Sequence, residues 1–162
     1  MASHKPGTRP AGKTRRPPVT LHTIDASVFV NAFNPHEDGH ARSLEFLTAI
    51  RDDGHPVVVP TLMVAEVAAA VARASGDAAG AVAYALAAAA LPQLTLVSLT
   101  ARLARQAAQL AATHRLRGAD AVYLIVARRY GAVLVSRDQE QRARGAAITI
   151  CRTPEEALAS RP

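Results

Sequence analysis

Asp25, Glu66, Asp120 and Asp138 each sit inside or at the mouth of an apolar run. The runs are Thr-Ile-Asp-Ala-Ser-Val-Phe-Val, Thr-Leu-Met-Val-Ala-Glu-Val-Ala-Ala-Ala, Ala-Asp-Ala-Val-Tyr-Leu-Ile-Val-Ala and Val-Leu-Val-Ser-Arg-Asp. Acidic side chains are almost never fully buried unless they are paired or bind a metal. The chain has only 13 acids, so four in such settings is a large share. Convergence on one divalent cation explains them together and implies a metal-dependent hydrolase. Four close carboxylates cannot all stay ionised without a counter-charge. Hard oxygen ligands suit Mg²⁺ or Mn²⁺. Such an ion can activate water and clamp a phosphodiester in line. Each acid also has a plainer reading. Asp25 and Asp120 could cap helices, Asp138 could mark a turn, and Glu66 could be a surface glutamate.

The elements that must position these acids follow from hydrophobic periodicity. Strands are expected at 19–24, 57–59, 94–99, 132–135 and 147–150. Helices are expected at 27–33, 36–53, 61–74, 76–91, 100–116 and 119–130, with a last one starting after Thr153-Pro154. This alternation predicts an α/β fold, a parallel sheet covered by helices on both faces in three layers. Ligands of such sheets bind beyond the carboxyl ends of the strands. Asp25 ends the first strand and Asp138 lies just past the fourth, so both should reach one rim. Asp120 opens a helix, where exposed N–H groups favour a carboxylate. Glu66 has Leu62, Met63, Ala69 and Ala70 as its helical neighbours, so it should project from an inward-facing stripe.

Composition narrows the possible chemistry. At 162 residues, 49% of them hydrophobic, the chain suits one globular domain. The charge of +6 is unevenly spread. Residues 1–24 hold five bases and no acid, leaving 14 bases against 13 acids elsewhere. Residues 1–18 therefore read as a basic, Pro/Gly-rich disordered tail ahead of a domain at 19–160. The tail is either a solubilising extension, an overlong start of translation, or a sequence-independent phosphate binder. Both lysines, Lys5 and Lys13, lie in it. Chemistry needing a lysine within the fold is excluded, from Schiff bases to phosphate-loop NTPases. One cysteine, Cys151, permits no internal disulfide and makes a cytoplasmic setting the default. No membrane span or secretory signal is expected. An aromatic content of 4% argues against base-stacking RNA modules.

Ile24-Asp25-Ala26-Ser27, Glu66 on the helix after the second strand, Asp120-Ala121 with Ala127, and Leu134-Val135-Ser136-Arg137-Asp138 occur in a characteristic order. With them the chain resembles the PIN-domain nucleases, especially the VapC toxins of toxin–antitoxin pairs, over about residues 19 to 158. The resemblance implies a Mg²⁺- or Mn²⁺-dependent endoribonuclease with Asp25, Glu66, Asp120 and Asp138 as metal ligands. It implies that Ser27 and Ser136 orient the site, Ser136 standing where threonine is usual. In this scheme the ion held by Asp25 and Asp120 carries the attacking water, and products keep a 5′-phosphate and a 3′-hydroxyl. Implied partners are RNA, a small antitoxin and a second copy in a homodimer. The Ala-rich stretch 61–91 is the candidate surface for the last two. The basic tail has no counterpart in the usual compact toxin. Two other classes stay open: a non-catalytic nucleic-acid-binding module, and a metal phosphodiesterase acting on DNA or nucleotides.

Arg115, Arg117 and Arg137 lie close in sequence to Asp120 and Asp138 and could grip RNA phosphates, or could be solvated helix ends. His36-Glu37-Asp38-Gly39-His40 spells a zinc-protease string. Gly39 weakens the helix it needs, and no third ligand is evident. It reads instead as a loop and first helical turn. His22, His55 and His114 lack ligand spacing and read as structural. Cys151 reads as a small core residue.

Overall fold

The computed structural model describes residues 19–160; the basic stretch 1–18 lies outside them. The elements are β1 (His22–Ile24), α1 (Ala26–Phe33), α2 (His40–Asp53), β2 (Val57–Pro60), α3 (Leu62–Ser75), α4 (Ala78–Ala89) and β3 (Leu94–Val97). They continue with α5 (Ala101–His114), α6 (Gly118–Tyr130), β4 (Val133–Val135), α7 (Gln139–Gly145), β5 (Cys151–Arg152) and α8 (Pro154–Ala159). The five strands form one parallel sheet in the order β3-β2-β1-β4-β5, flanked by helices. This is the expected α/β architecture.

Strand order reverses between β1 and β4, which pair in register from His22↔Val133 to Ile24↔Val135. A crevice opens at the carboxyl ends of two such strands, because the chain leaves them in opposite directions. Asp25 follows β1 and Asp138 follows β4, and the Asp25 N–H donates to the Val135 carbonyl at 2.9 Å. The register thus delivers both acids to one crevice.

The core explains how firmly they are held. Helix α6 is buried continuously from Ala121 to Ala127, as its apolar run demands. It packs on β1, β2 and β4 and carries α5 on its other side. Helix α1 packs on α2 and α3, and α3 on α4. Tyr123, Phe29, Phe46, Ile24 and Met63 are among the largest fully buried side chains.

Three local expectations differ from the structure. The stretch 147–150, expected as the last strand, is a turn. The Ile148 and Thr149 N–H groups both donate back to the Gly145 carbonyl, and Ile150 stays exposed. The strand follows it, at Cys151–Arg152. Helix α7 was not expected, because Gln139–Gly145 is polar without an apolar stripe; the Asp138 side chain caps it, accepting from the Gln141 N–H at 2.8 Å. Helix α2 starts at His40 and not at 36, because Gly39 takes φ +81° and breaks the helix there.

Candidate active site

Asp25, Glu66, Asp120 and Asp138 come from four separate segments and line one cavity of about 460 Å³. Ser27, Arg73 and Arg117 also line it, and Ala65, Ala69 and Ala70 form a smooth wall along α3. The plain reading as a helix cap holds for Asp25; Asp120 stands inside α6 behind Arg117 at the cap position, and Asp138, expected in a turn, is itself a helix cap. Asp25 caps α1, its Oδ2 accepting from the Ser27 N–H at 2.9 Å. Asp138 caps α7 through Oδ1. Each cap leaves the other oxygen for a different partner. Asp25 Oδ1 accepts from Gln141 Nε2 at 3.1 Å, and Asp138 Oδ2 accepts from Arg117 Nη2. Asp120 is in the first turn of α6, where Arg117 Nε donates to it at 2.8 Å. Glu66 Oε2 accepts from the Tyr123 hydroxyl at 2.7 Å.

The electrostatics follow. Burial raises the Asp25 carboxyl above its ordinary value, against the hydrogen bonds from Ser27 and Gln141, and the Asp138 charge raises it further. Burial also raises Glu66 and Asp120, and the Asp25 charge adds to both. Asp138 is lowered: hydrogen bonds from the α7 backbone and from Arg117 outweigh its burial. The cavity therefore concentrates negative charge and offers one bridging guanidinium in return.

Hard oxygen donors around a shared space match what a divalent cation binds. As the side chains stand, no three His, Cys, Asp or Glu among the described residues are gathered tightly enough to hold an ion. Arg117 spans Asp120 and Asp138 instead. The donor chemistry fits a dication, provided that Arg117 swings aside and the carboxylates turn inward.

The supporting residues sort clearly. Ser136 is fully buried; its Oγ accepts from the Asp138 N–H at 3.0 Å and lies 3.4 Å from Ser27 Oγ. Ser27 Oγ also accepts from the Arg137 N–H at 3.0 Å. The two hydroxyls pin the turn after β4 to the start of α1. The Arg137 side chain does not reach the cavity. It pairs with Glu155 at 2.5 Å and donates to the Asp38 carbonyl at 3.2 Å. Sequence reasoning missed Tyr123 and Gln141, although each stands three residues after a singled-out acid, one turn along the same helix. It also missed Arg73, two turns after Glu66 on α3.

The histidine string is a turn up to Gly39 and not the helix that the zinc-protease spacing needs. Asn31 Nδ2 donates to Glu37 Oε2, and His40 Nδ1 contacts the Asn31 carbonyl at 3.0 Å. His22 and His55 meet edge to face in the interior. Cys151 is half-buried, and burial pushes its thiol up to about 11, which suits packing and not nucleophilic attack.

The sequence model of the PIN domain matches residues 23–146, a span that contains all four acids. The chain belongs to the PIN-domain family. No curated protein matches this PIN domain in sequence. Solved structures share its fold. VapC20 of Mycobacterium tuberculosis, described as a sarcin–ricin-loop-cleaving toxin, is 20% identical with a TM-score of 0.63, covering 78% of this chain and 95% of its own. VapBC2 of Rickettsia felis, solved with a promoter DNA fragment, is 15% identical with a TM-score of 0.59, covering 83% and 98%. A toxin–antitoxin complex of Klebsiella pneumoniae gives 18%, 0.58, 82% and 97%. No helix among the described residues of this PIN domain is long and apolar enough to cross a membrane.

Proposed function

We propose that this PIN domain is a Mg²⁺- or Mn²⁺-dependent endoribonuclease of the VapC toxin kind. The observation that carries the reading is the meeting of Asp25, Glu66, Asp120 and Asp138 in one cavity at the strand crossover. These four would hold the ion. When bound, it would supply Lewis acidity and an activated water. The chain's own residues do the rest. Ser27, Ser136, Gln141 and Tyr123 fix the carboxylates. Arg117, released from its acids, donates to a phosphate oxygen. The alanine wall of α3 lets a strand approach closely. In this reading water is the nucleophile: its oxygen bonds to phosphorus, the bond from phosphorus to the 3′-oxygen breaks, and the products carry a 5′-phosphate and a 3′-hydroxyl. The VapC20 description supports RNA as substrate.

The toxin–antitoxin neighbours support a small antitoxin as partner. Val82 and Leu86, one turn apart on α4, are both exposed. They extend the α3–α4 surface suited to an antitoxin or a second copy.

The Arg117 bridge gives a second reading some footing: a metal-free module that holds phosphate and cleaves nothing. Incubating the purified protein with cellular RNA, with Mg²⁺ or with EDTA, separates the two. Discrete metal-dependent fragments carrying 5′-phosphates support the nuclease. Fragments with 2′,3′-cyclic ends, or none, would remove it.

A further inference from the structure

Helix α5 has no acid in its 14 residues. It exposes Arg102 and Arg105, and α6 ends in the exposed pair Arg128 and Arg129. None of the four makes an ion pair among the described residues. Asp120 is the one acid between Asp77 and Asp138 in the sequence, so no carboxylate of α5 or of the end of α6 can answer them. Arg102 stands in the first turn of α5, where the helix dipole repels a cation. Arg105 is three residues on, where like charges repel. A merely solvated face would not need either cost.

Three of the four share one hollow. Arg102, Arg128 and Arg129 line a furrow of about 290 Å³ with Gln106 and Ile125. A second hollow of about 270 Å³ shares Gln106 and Arg128 and continues along α5 through Gln109 and Thr113 to His114. His114 is three residues before Arg117, which lines the carboxylate cavity. Cations and neutral donors therefore follow α5 from its start to His114 at its end.

We infer that the α5–α6 furrow binds the sugar–phosphate backbone of RNA beyond the cleaved bond, an inference that rests on the ribonuclease reading for its substrate. A line of unpaired arginines interleaved with glutamine and threonine matches a repeating anion. A protein partner would favour aromatic or aliphatic anchors in a pocket, and the furrow offers only Ile125 and Leu110.

The test is binding, not cleavage. The Asp25→Asn protein is titrated into a fluorescent single-stranded RNA of mixed sequence across a NaCl series, in EDTA. The same protein carrying Arg102→Gln and Arg129→Gln is compared, and a second pair, Arg102→Gln with Arg128→Gln, is run beside it. Arg42→Gln with Arg51→Gln on α2 is the control. Each furrow pair should weaken binding and flatten the slope of log affinity against log salt by about 1.4, two single-strand phosphate contacts. The control slope should hold. All five arginines are exposed, and thermal melts verify that the variants fold. Unchanged furrow slopes, or an equal drop in the control, overturn the inference. Failure of the wild type to cleave RNA while the furrow slopes still flatten would remove the nuclease and leave the furrow.

Discussion

Arg117 stands where the charge of an ion would belong, and removing it should strengthen metal binding while weakening catalysis. The guanidinium reaches both Asp120 and Asp138. Its side chain is 63% exposed, so water screens it. Each pair is then worth about 0.5–1 kcal/mol, far below the value for two dry charges. A dication must displace both pairs. Arg117→Gln should therefore tighten Mn²⁺ binding by about 1–2 kcal/mol, or about 5- to 30-fold. Cleavage should move the other way. Losing one hydrogen bond to a charged phosphate costs about 1.5–3 kcal/mol, or about 10- to 150-fold in rate. Calorimetric titration with Mn²⁺ measures the first effect, and initial rates at saturating metal measure the second. Mn²⁺ affinity that stays the same or falls in Arg117→Gln would refute the displacement argument. A rate that stays the same would refute the phosphate contact.

Other expectations follow from single contacts. Tyr123→Phe removes the hydrogen bond to Glu66 and should cost about 1–2 kcal/mol in urea unfolding; no loss would mean that the contact is replaceable. Gly39→Ala places a Cβ 1.3 Å from Arg137 Nη2 on a backbone at φ +81°. It should cost at least about 1 kcal/mol, read by the same unfolding assay, and equal stability would contradict the packing of Arg137 against the turn. His22 is held down at about 4, by burial first and then by His55 and Arg152, against 6.5 for a free histidine. The unfolded chain takes up this proton first as pH falls. The native state thus keeps its full stability above 6.5 and loses it toward 4, by about 2 kcal/mol at pH 5. Melting curves at pH 7.5 and pH 5 should show this excess loss in the wild type and not in His22→Gln, and equal pH dependence would refute it.

The fold was legible because its signals are local. Three-residue apolar strands followed by amphipathic helices leave little choice but a parallel sheet. What escaped was set by tertiary contact. Helix α7 has no apolar stripe and owes its start to the Asp138 cap. The last strand was misplaced by its own composition: Ala147 to Ile150 looks more strand-like than Cys151-Arg152, but β4 pairs with the latter. In the site, the four acids were visible as charges in apolar runs. Tyr123 and Gln141 were not, since a tyrosine or glutamine in a helix signals nothing until the acid it faces is in place. Arg137 drew notice by its closeness in sequence to Asp138, yet adjacent residues after a strand point apart, and its side chain went to Glu155.

The central claim is that the four carboxylates make one divalent-cation site. Anomalous diffraction from crystals soaked in Mn²⁺ tests it most directly. The account expects a Mn²⁺ peak bounded by Asp25, Glu66, Asp120 and Asp138, with Arg117 released from Asp120 and Asp138. A cavity without a peak at saturating Mn²⁺, with Arg117 still bridging those two acids, would contradict it.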